Sequence, residues 1–331
     1  EWYSLDLPKG TDPLDLVPIM SARPEAAFVE ADGVITAADD FSNQWGLHNT
    51  RQTINPPGGP ITGTADADMD VLEAWSITKG DASVPIGIVD TGIDNEHPDF
   101  TVGGQLASNF LILAGSDIRD GDDEPWDEFP DGHGTRMTGN MAAIHDNNIG
   151  IRGVVPNCTF VPVRFDLKTD GQAAEATVFA AENGAKIINA SWGRTDGSFS
   201  QIIADAIDVA LANDALFVTV GGNNLGVVWF PGNWSDERVN VLAVTASNQD
   251  DDKAMPTTSG RELSVAAPGR YIYTTFLPIP PYQNWDWASG ASSSQAAAYS
   301  SGVAGLVRSF YPDLSAEETR WVLQNTADKV G

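Results

Sequence analysis

The chain has 331 residues, 42% of them hydrophobic, with 46 acidic against 18 basic side chains and a formal charge of −28. That size can bury a large core and suits one domain of roughly 250–300 residues plus a small appendage, and the hydrophobic content with 10 tryptophans argues against a disordered chain. The charge repels nucleic acid and anionic membranes and suits a salty or calcium-bearing medium, no run of about 18 apolar residues offers a membrane span, and a single cysteine, Cys158, excludes an internal disulfide.

Residues 1–38 read as strand, helix, strand, from Trp2 to Leu7, Asp12 to Ser21 and Ala27 to Val34, a unit too small for its own core that must dock on something. The chain opens at Glu1 with neither initiator methionine nor signal peptide, so processing upstream is expected. From Asp66 strands alternate with helices. A short helix is predicted over Met69–Ile77, a strand over Val84–Val89 ending at Asp90, and a helix from His133 to about Ile144. A strand follows at Phe160–Phe165, where Cys158 begins the apolar run and reads as a buried structural thiol. Then come a helix at Gln172–Asn183, a strand at Lys186–Ala190, a helix at Phe199–Asn213, and strands at Ala215–Val220 and Val239–Thr245. The last elements are a small-residue helix from Ser294 to about Ser309 and an amphipathic helix from Ser315, where Ser315 and Glu318 have capping-box spacing. This alternation predicts an α/β fold with a mainly parallel sheet covered on both faces. In such sheets sites form at the carboxyl ends of strands, where Asp90 and Asn223 both fall.

His133 stands between Gly132 and Gly134 at the start of its helix. Glycines let backbone approach an imidazole closely, and the helix mounts the ring on a rigid element, as a catalytic base requires. A surface turn that happens to carry a histidine is the bland alternative. Asp90 is a carboxylate at the end of an apolar strand, where burial calls for a cationic or hydrogen-bonding partner, unless it only holds its own turn.

Asp, His and Ser in that order along an α/β chain resemble the subtilisin-like serine proteases of the subtilase superfamily. The motifs run from Phe41 to Gly331: Asp90-Thr91-Gly92-Ile93, His97-Pro98-Asp99-Phe100, His133-Gly134-Thr135 with Gly139, Ser191-Trp192-Gly193, Gly222-Asn223, Ala266-Ala267-Pro268-Gly269 and the Ser294 helix. The resemblance implies a subtilisin-like three-layer fold over 41–331. It also implies a secreted or extracellular serine endopeptidase in which Ser294 attacks, His133 transfers the proton, Asp90 orients His133, and Asn223 holds the oxyanion. Two registers compete for the serine. Ser292 keeps a glycine two positions before the nucleophile, whereas Ser294 places Gly302 and Pro312 where the family's later glycine and proline lie. Ser294 is chosen, which leaves Ser292 where glycine is usual and Ala298 where proline is common. Ser191, Trp192 and Gly193 are expected to pair with extended substrate as an added strand.

The resemblance further implies structural calcium held by the side chains of Asp68, Asp99 and Asn147 and the carbonyls of Ile149 and Ile151. His-Gly-Thr-Arg at His133–Arg136 and Ala-Ser-Trp-Gly at Ala190–Gly193 are kexin-like features. In that branch a loop comparable to Asp117–Glu124 binds a second calcium, with Asp117, Asp122 and Glu124 as candidates here, and Asp196 is the candidate acid of a pocket for basic residues. Residues 1–40 resemble the carboxyl-terminal part of an inhibitory prodomain, with a permanent extension as the alternative. Expected partners are protein or peptide substrates and the chain's own prodomain. The competing function is a catalytically impaired subtilase fold used as a protein-binding module.

Overall fold

The computed structural model describes residues 41–128, 132–278 and 283–329. The strand–helix–strand expected within residues 1–40 lies outside them. Six apolar segments form one parallel sheet: β1 (Pro85–Asp90), β2 (Thr159–Arg164), β3 (Ile187–Ala190), β4 (Leu216–Val220), β5 (Val241–Ser247) and β6 (Val265–Pro268), in the spatial order β6-β5-β4-β3-β1-β2. The strands are nearly continuous hydrophobic runs because both faces are covered. Side chains alternate between two cores: Ile86, Ile88, Phe160, Leu216 and Val218 point into one, and Val89, Val161, Val163, Ile188 and Phe217 into the other. Full burial of each such side chain stabilises by about 1.5–3 kcal/mol.

Helices α1 (Val71–Trp75), α2 (His133–Ala142), α3 (Asp170–Glu182), α4 (Gln201–Ala212), α5 (Ser293–Phe310) and α6 (Ala316–Thr326) cover the sheet. The first core takes Met137 and Met141 from α2 and Ala296–Ala298 from α5, and the second takes Ala176 and Ala180 from α3 and Ile203 and Ile207 from α4. The result is the expected three-layer α/β fold. Helix α5 is rich in Ser, Ala and Gly because it runs through the core with most of its circumference buried. A Cβ on Gly305 would stand 2.9 Å from Ile86 Cδ1, so the small residues set how closely this helix lies on the sheet. The Ser315–Glu318 capping box of α6 is present in both directions.

Strand β6 and the antiparallel hairpin of β7 (Arg270–Thr275) and β8 (Trp285–Ala291) were not expected. Small and polar residues in Trp285-Asp286-Trp287-Ala288-Ser289-Gly290-Ala291 blur the two-residue alternation that marks a strand. The hairpin bears on the site. The hydroxyls of Thr274 and Thr275 donate to the carbonyls of Arg136 and Thr135 in α2, at 3.0 and 2.7 Å, and β8 runs directly into α5.

Candidate active site

Strands β1, β3 and β4 are neighbours, and they end side by side in Asp90, Ser191 and Gly221-Gly222-Asn223. The side chain of Asp90 is wholly buried. Its Oδ1 accepts the Thr91 N–H at 2.8 Å and lies 2.7 Å from His133 Nδ1. A carboxylate can only accept, so the Nδ1–H of His133 donates, which leaves Nε2 as the basic nitrogen. The imidazole keeps 22% of its side-chain surface exposed. Asp90 Oδ2 is buried with no hydrogen-bond partner among the described residues.

The glycines beside His133 serve the backbone and not the close approach to the imidazole that the sequence suggested. Gly132 begins the helix at φ 63°, a left-handed conformation suited to glycine, and a Cβ on Gly134 would run into the Gly92 carbonyl. Two other histidines are unsuited to proton transfer at neutral pH. His97 and His145 are held by the carbonyls of Asn284 and Gly153, both at 2.7 Å, and burial pushes their pKa values down to about 4.

Two of the neighbouring serines have distinct settings. Ser293, the first residue of α5, is fully buried, and its N–H and hydroxyl both donate to Asn223 Oδ1, at 2.7 and 2.8 Å. These two hydrogen bonds fix the orientation of the Asn223 amide. Ser294 keeps 5% exposure and donates its hydroxyl to the Ser191 carbonyl at 3.1 Å, while the Ser191 hydroxyl donates back to the Ser294 carbonyl at 3.0 Å. As the second residue of the helix, Ser294 has an N–H with no intrahelical acceptor, at the positive end of the helix dipole. Ser292 is the N-cap and makes no side-chain capping bond. The role of Ser293 was missed because one hydroxyl among three consecutive serines carries no signal of its own.

Trp192 is mostly a core residue: it packs edge-on against Phe165 and Phe217 and donates its indole N–H to the Val89 carbonyl at 2.9 Å. With Gly193 it also borders a cavity of about 590 Å³ whose lining includes Phe165, Ile203, Asp170, Arg194 and Asp196. Asp196 is 67% exposed, accepts from the N–H and hydroxyl of Ser198, and lies 3.9 Å from Arg194, which pairs with Asp170 at 2.8 Å. The acid proposed for basic specificity therefore already faces an arginine.

The expected metal residues come together only in part. Asp99 is fully buried and gathers the Asn147 amide at 2.9 Å, the Ile151 N–H at 3.0 Å and the Trp285 indole N–H. The Ile149 N–H bonds Asn147 Oδ1 at 3.2 Å. A buried carboxylate, an amide and the carbonyls of a tight loop are oxygen donors of the kind calcium takes, and an ion there would displace the N–H groups that now meet Asp99 and Asn147 Oδ1. Asp68 is engaged elsewhere: its oxygens accept the Asn49 and Asp70 N–H groups, and it lines a separate cavity of about 310 Å³ with Asp70, Asp251 and Asp328. Gln44, not anticipated, exchanges two hydrogen bonds with the Arg152 backbone next to the Asn147 loop. In the acidic loop Asp117 is bound by Arg164 at 2.8 Å, and Arg164 also meets Asp120 and Glu128 at 3.0 Å each. An arginine thus supplies positive charge at Asp117, one of the three candidates for a second calcium, while Asp122 Oδ1 accepts the Glu124 N–H at 2.8 Å. Among the described residues no three His, Cys, Asp or Glu side chains form a metal-holding cluster, and no helix is long and apolar enough to cross a membrane.

A family model described as the subtilase family matches residues 81–331. Thermitase from Thermoactinomyces vulgaris is 34% identical over 264 residues, spanning 78% of this chain and 85% of the relative. Subtilisin DY from Bacillus licheniformis is 31% identical over 76% of this chain and 85% of its own. A protease structure from Pseudoalteromonas arctica shares the fold, with a TM-score of 0.71 at 24% identity, over 89% of this chain and 93% of that one.

Proposed function

We propose, from the premise that the chain belongs to the subtilase family and is a subtilisin-like serine peptidase, that it is an endopeptidase working through Asp90, His133, Ser294 and Asn223. The observation that carries this is the 2.7 Å bond between the buried Asp90 carboxylate and the part-exposed ring of His133. Ser294 Oγ attacks the scissile carbonyl carbon, and its proton passes to His133 Nε2. The imidazolium is stabilised by Asp90 through Nδ1–H. The oxyanion accepts from Asn223 Nδ2 and the Ser294 N–H, both fixed before substrate arrives. His133 then returns the proton to the departing amine, and water repeats the sequence on the acyl-enzyme. Ser191, Trp192 and Gly193 offer their backbone to extended substrate.

Labelling with a fluorophosphonate tests this assignment. The parent and Ser292→Ala should label and Ser294→Ala should not; label lost only in Ser292→Ala moves the nucleophile to the other register, and an unlabelled parent supports a binding module.

Residues 41–331 are the proposed catalytic domain and residues 1–40 the carboxyl-terminal part of an inhibitor-like prodomain. Mass measurement of the active enzyme checks this, since an intact Glu1 terminus at full activity counts against a removable inhibitor. Secretion is proposed from the acidic surface, which suits a salty medium, and recovery of activity only from cells argues against it. Calcium is proposed at the Asp99 and Asn147 side chains and the Ile149 and Ile151 carbonyls, where it would tie the loop down. A chelator should then lower the melting temperature, because a bound ion stabilises by mass action.

A further inference from the structure

The first turn of α2 carries His133, yet its N-cap, Gly132, has no side chain with which to hold the turn. The first N–H groups of a helix have no internal acceptors, and helix ends open more readily than helix interiors. Here two of them, those of Gly134 and Thr135, are satisfied from outside, and so is the N–H of the cap itself. Asp127 Oδ1 accepts the Gly132 N–H at 3.1 Å and the Glu128 N–H at 3.2 Å, and Oδ2 accepts the Thr135 N–H at 2.9 Å and the Thr135 hydroxyl at 2.8 Å. Between these, the Gly134 N–H donates to Thr91 Oγ1 at 2.8 Å, and the Thr91 side chain also bonds Asp127. Thr91 is the residue next to Asp90. Asp127 is itself anchored to the loop after β1, donating its N–H to the Ile93 carbonyl at 2.9 Å.

We propose that Asp127 is a positioning residue for the proposed reaction, clamping the turn that bears His133 to the loop that bears Asp90. Only 9% of Asp127 is exposed, and it sits at the positive end of α2, where a carboxylate is favoured. Burial, with Asp90 as a smaller cause, raises its pKa, while the Thr135 and Thr91 bonds oppose that rise. It does not touch substrate, and it acts through the separation of Asp90 and His133. A misplacement of about 1 Å in such a pair lowers turnover by about 100-fold.

The inference rests on the catalytic reading above, and the test separates the two. Asp127→Ala and Asp127→Asn are assayed on a peptide substrate with active sites counted by fluorophosphonate titration, so that kcat refers only to folded, labelled enzyme. Asp127→Ala should lower kcat by about 10- to 100-fold with KM within about twofold. Asp127→Asn, which keeps one acceptor oxygen, should recover part of that loss. If Asp127→Ala does not fold, Thr135→Val, which removes one bond to Asp127, should still lower kcat by about threefold or more with KM unchanged. Unaltered kcat per titrated site, or a change confined to KM or melting temperature, overturns the positioning role. A parent enzyme that neither labels nor cleaves overturns the catalytic reading instead.

Discussion

The wholly buried carboxylate of Asp90 accepts the Nδ1–H of His133 at 2.7 Å, while the Thr91 N–H holds the same oxygen at 2.8 Å. Replacing Asp90 by Asn keeps the shape and removes the charge, so the imidazolium that forms when His133 takes the serine proton loses the carboxylate that stabilises it. Asp90→Asn should lower kcat by about 10⁴-fold with melting little altered, as steady-state kinetics beside a thermal melt will show.

Asn223 depends on Ser293, which donates both its N–H and its hydroxyl to Asn223 Oδ1. Asn223→Ala removes an oxyanion donor and should lower kcat by about 10²–10³-fold, the size known for such a donor in subtilisins. Ser293→Ala leaves the N–H bond in place but removes the hydroxyl's bond to Asn223 and its acceptance of the Gly222 N–H at 3.2 Å; each is worth about 1 kcal/mol, so kcat lower by roughly fivefold or more is expected. KM should hardly move in either variant, since these bonds matter most when charge develops on the oxygen.

Much of this site was legible in the sequence because its parts obey strong local rules. Strand β1 is an apolar run that stops at Asp90, and His133 sits between two glycines, one in a left-handed cap and one in close contact with the Gly92 carbonyl. Both signals survive without knowledge of neighbours. What was not legible depends on distant partners. Asp68 looks like any loop carboxylate until Asn49 and Asp70 are seen to occupy it, and Asp117 looks like a calcium ligand until Arg164, 47 residues away, reaches it. Asp127 carries no motif, and its importance appears only when α2 is seen to lack a cap of its own. The β7–β8 hairpin escaped for a local reason, since its second strand mixes tryptophans with small residues.

Arg164 keeps 3% exposure and faces Asp117, Asp120 and Glu128. Removing one partner of a buried ionic group leaves the other uncompensated, so Arg164→Met should destabilise by about 3–5 kcal/mol. Urea unfolding measures this.

Asp196 is largely exposed and lies beside Arg194 at the cavity bordered by Trp192. A substrate arginine placed there would meet the guanidinium of Arg194 as well as the carboxylate, so attraction and repulsion oppose each other. Peptides with Arg and Leu before the scissile bond should therefore show no strong preference for Arg. A marked preference for Arg that disappears in Asp196→Asn would restore the acid to a specificity role.

Around the 310 Å³ cavity, burial raises the pKa of Asp251, and the nearby charges of Asp328, Asp68, Asp66 and Asp250 add to the rise. A carboxyl group with a raised folded pKa subtracts stability once it is ionised. That loss grows as pH rises from the unfolded value of about 3.9 through the folded one, and it vanishes when both states are protonated. Asp251→Asn removes the charge and keeps a side chain that tolerates the left-handed backbone there, at φ 58°. The variant should melt higher than the parent at neutral pH and low salt, with the gap closing in acid below the unfolded value. Added salt should narrow the gap without closing it, because the neighbouring carboxylates are screened while the burial penalty is not. Thermal melts across pH and salt decide the matter, and a gap equally wide in acid would assign the effect to packing instead of charge.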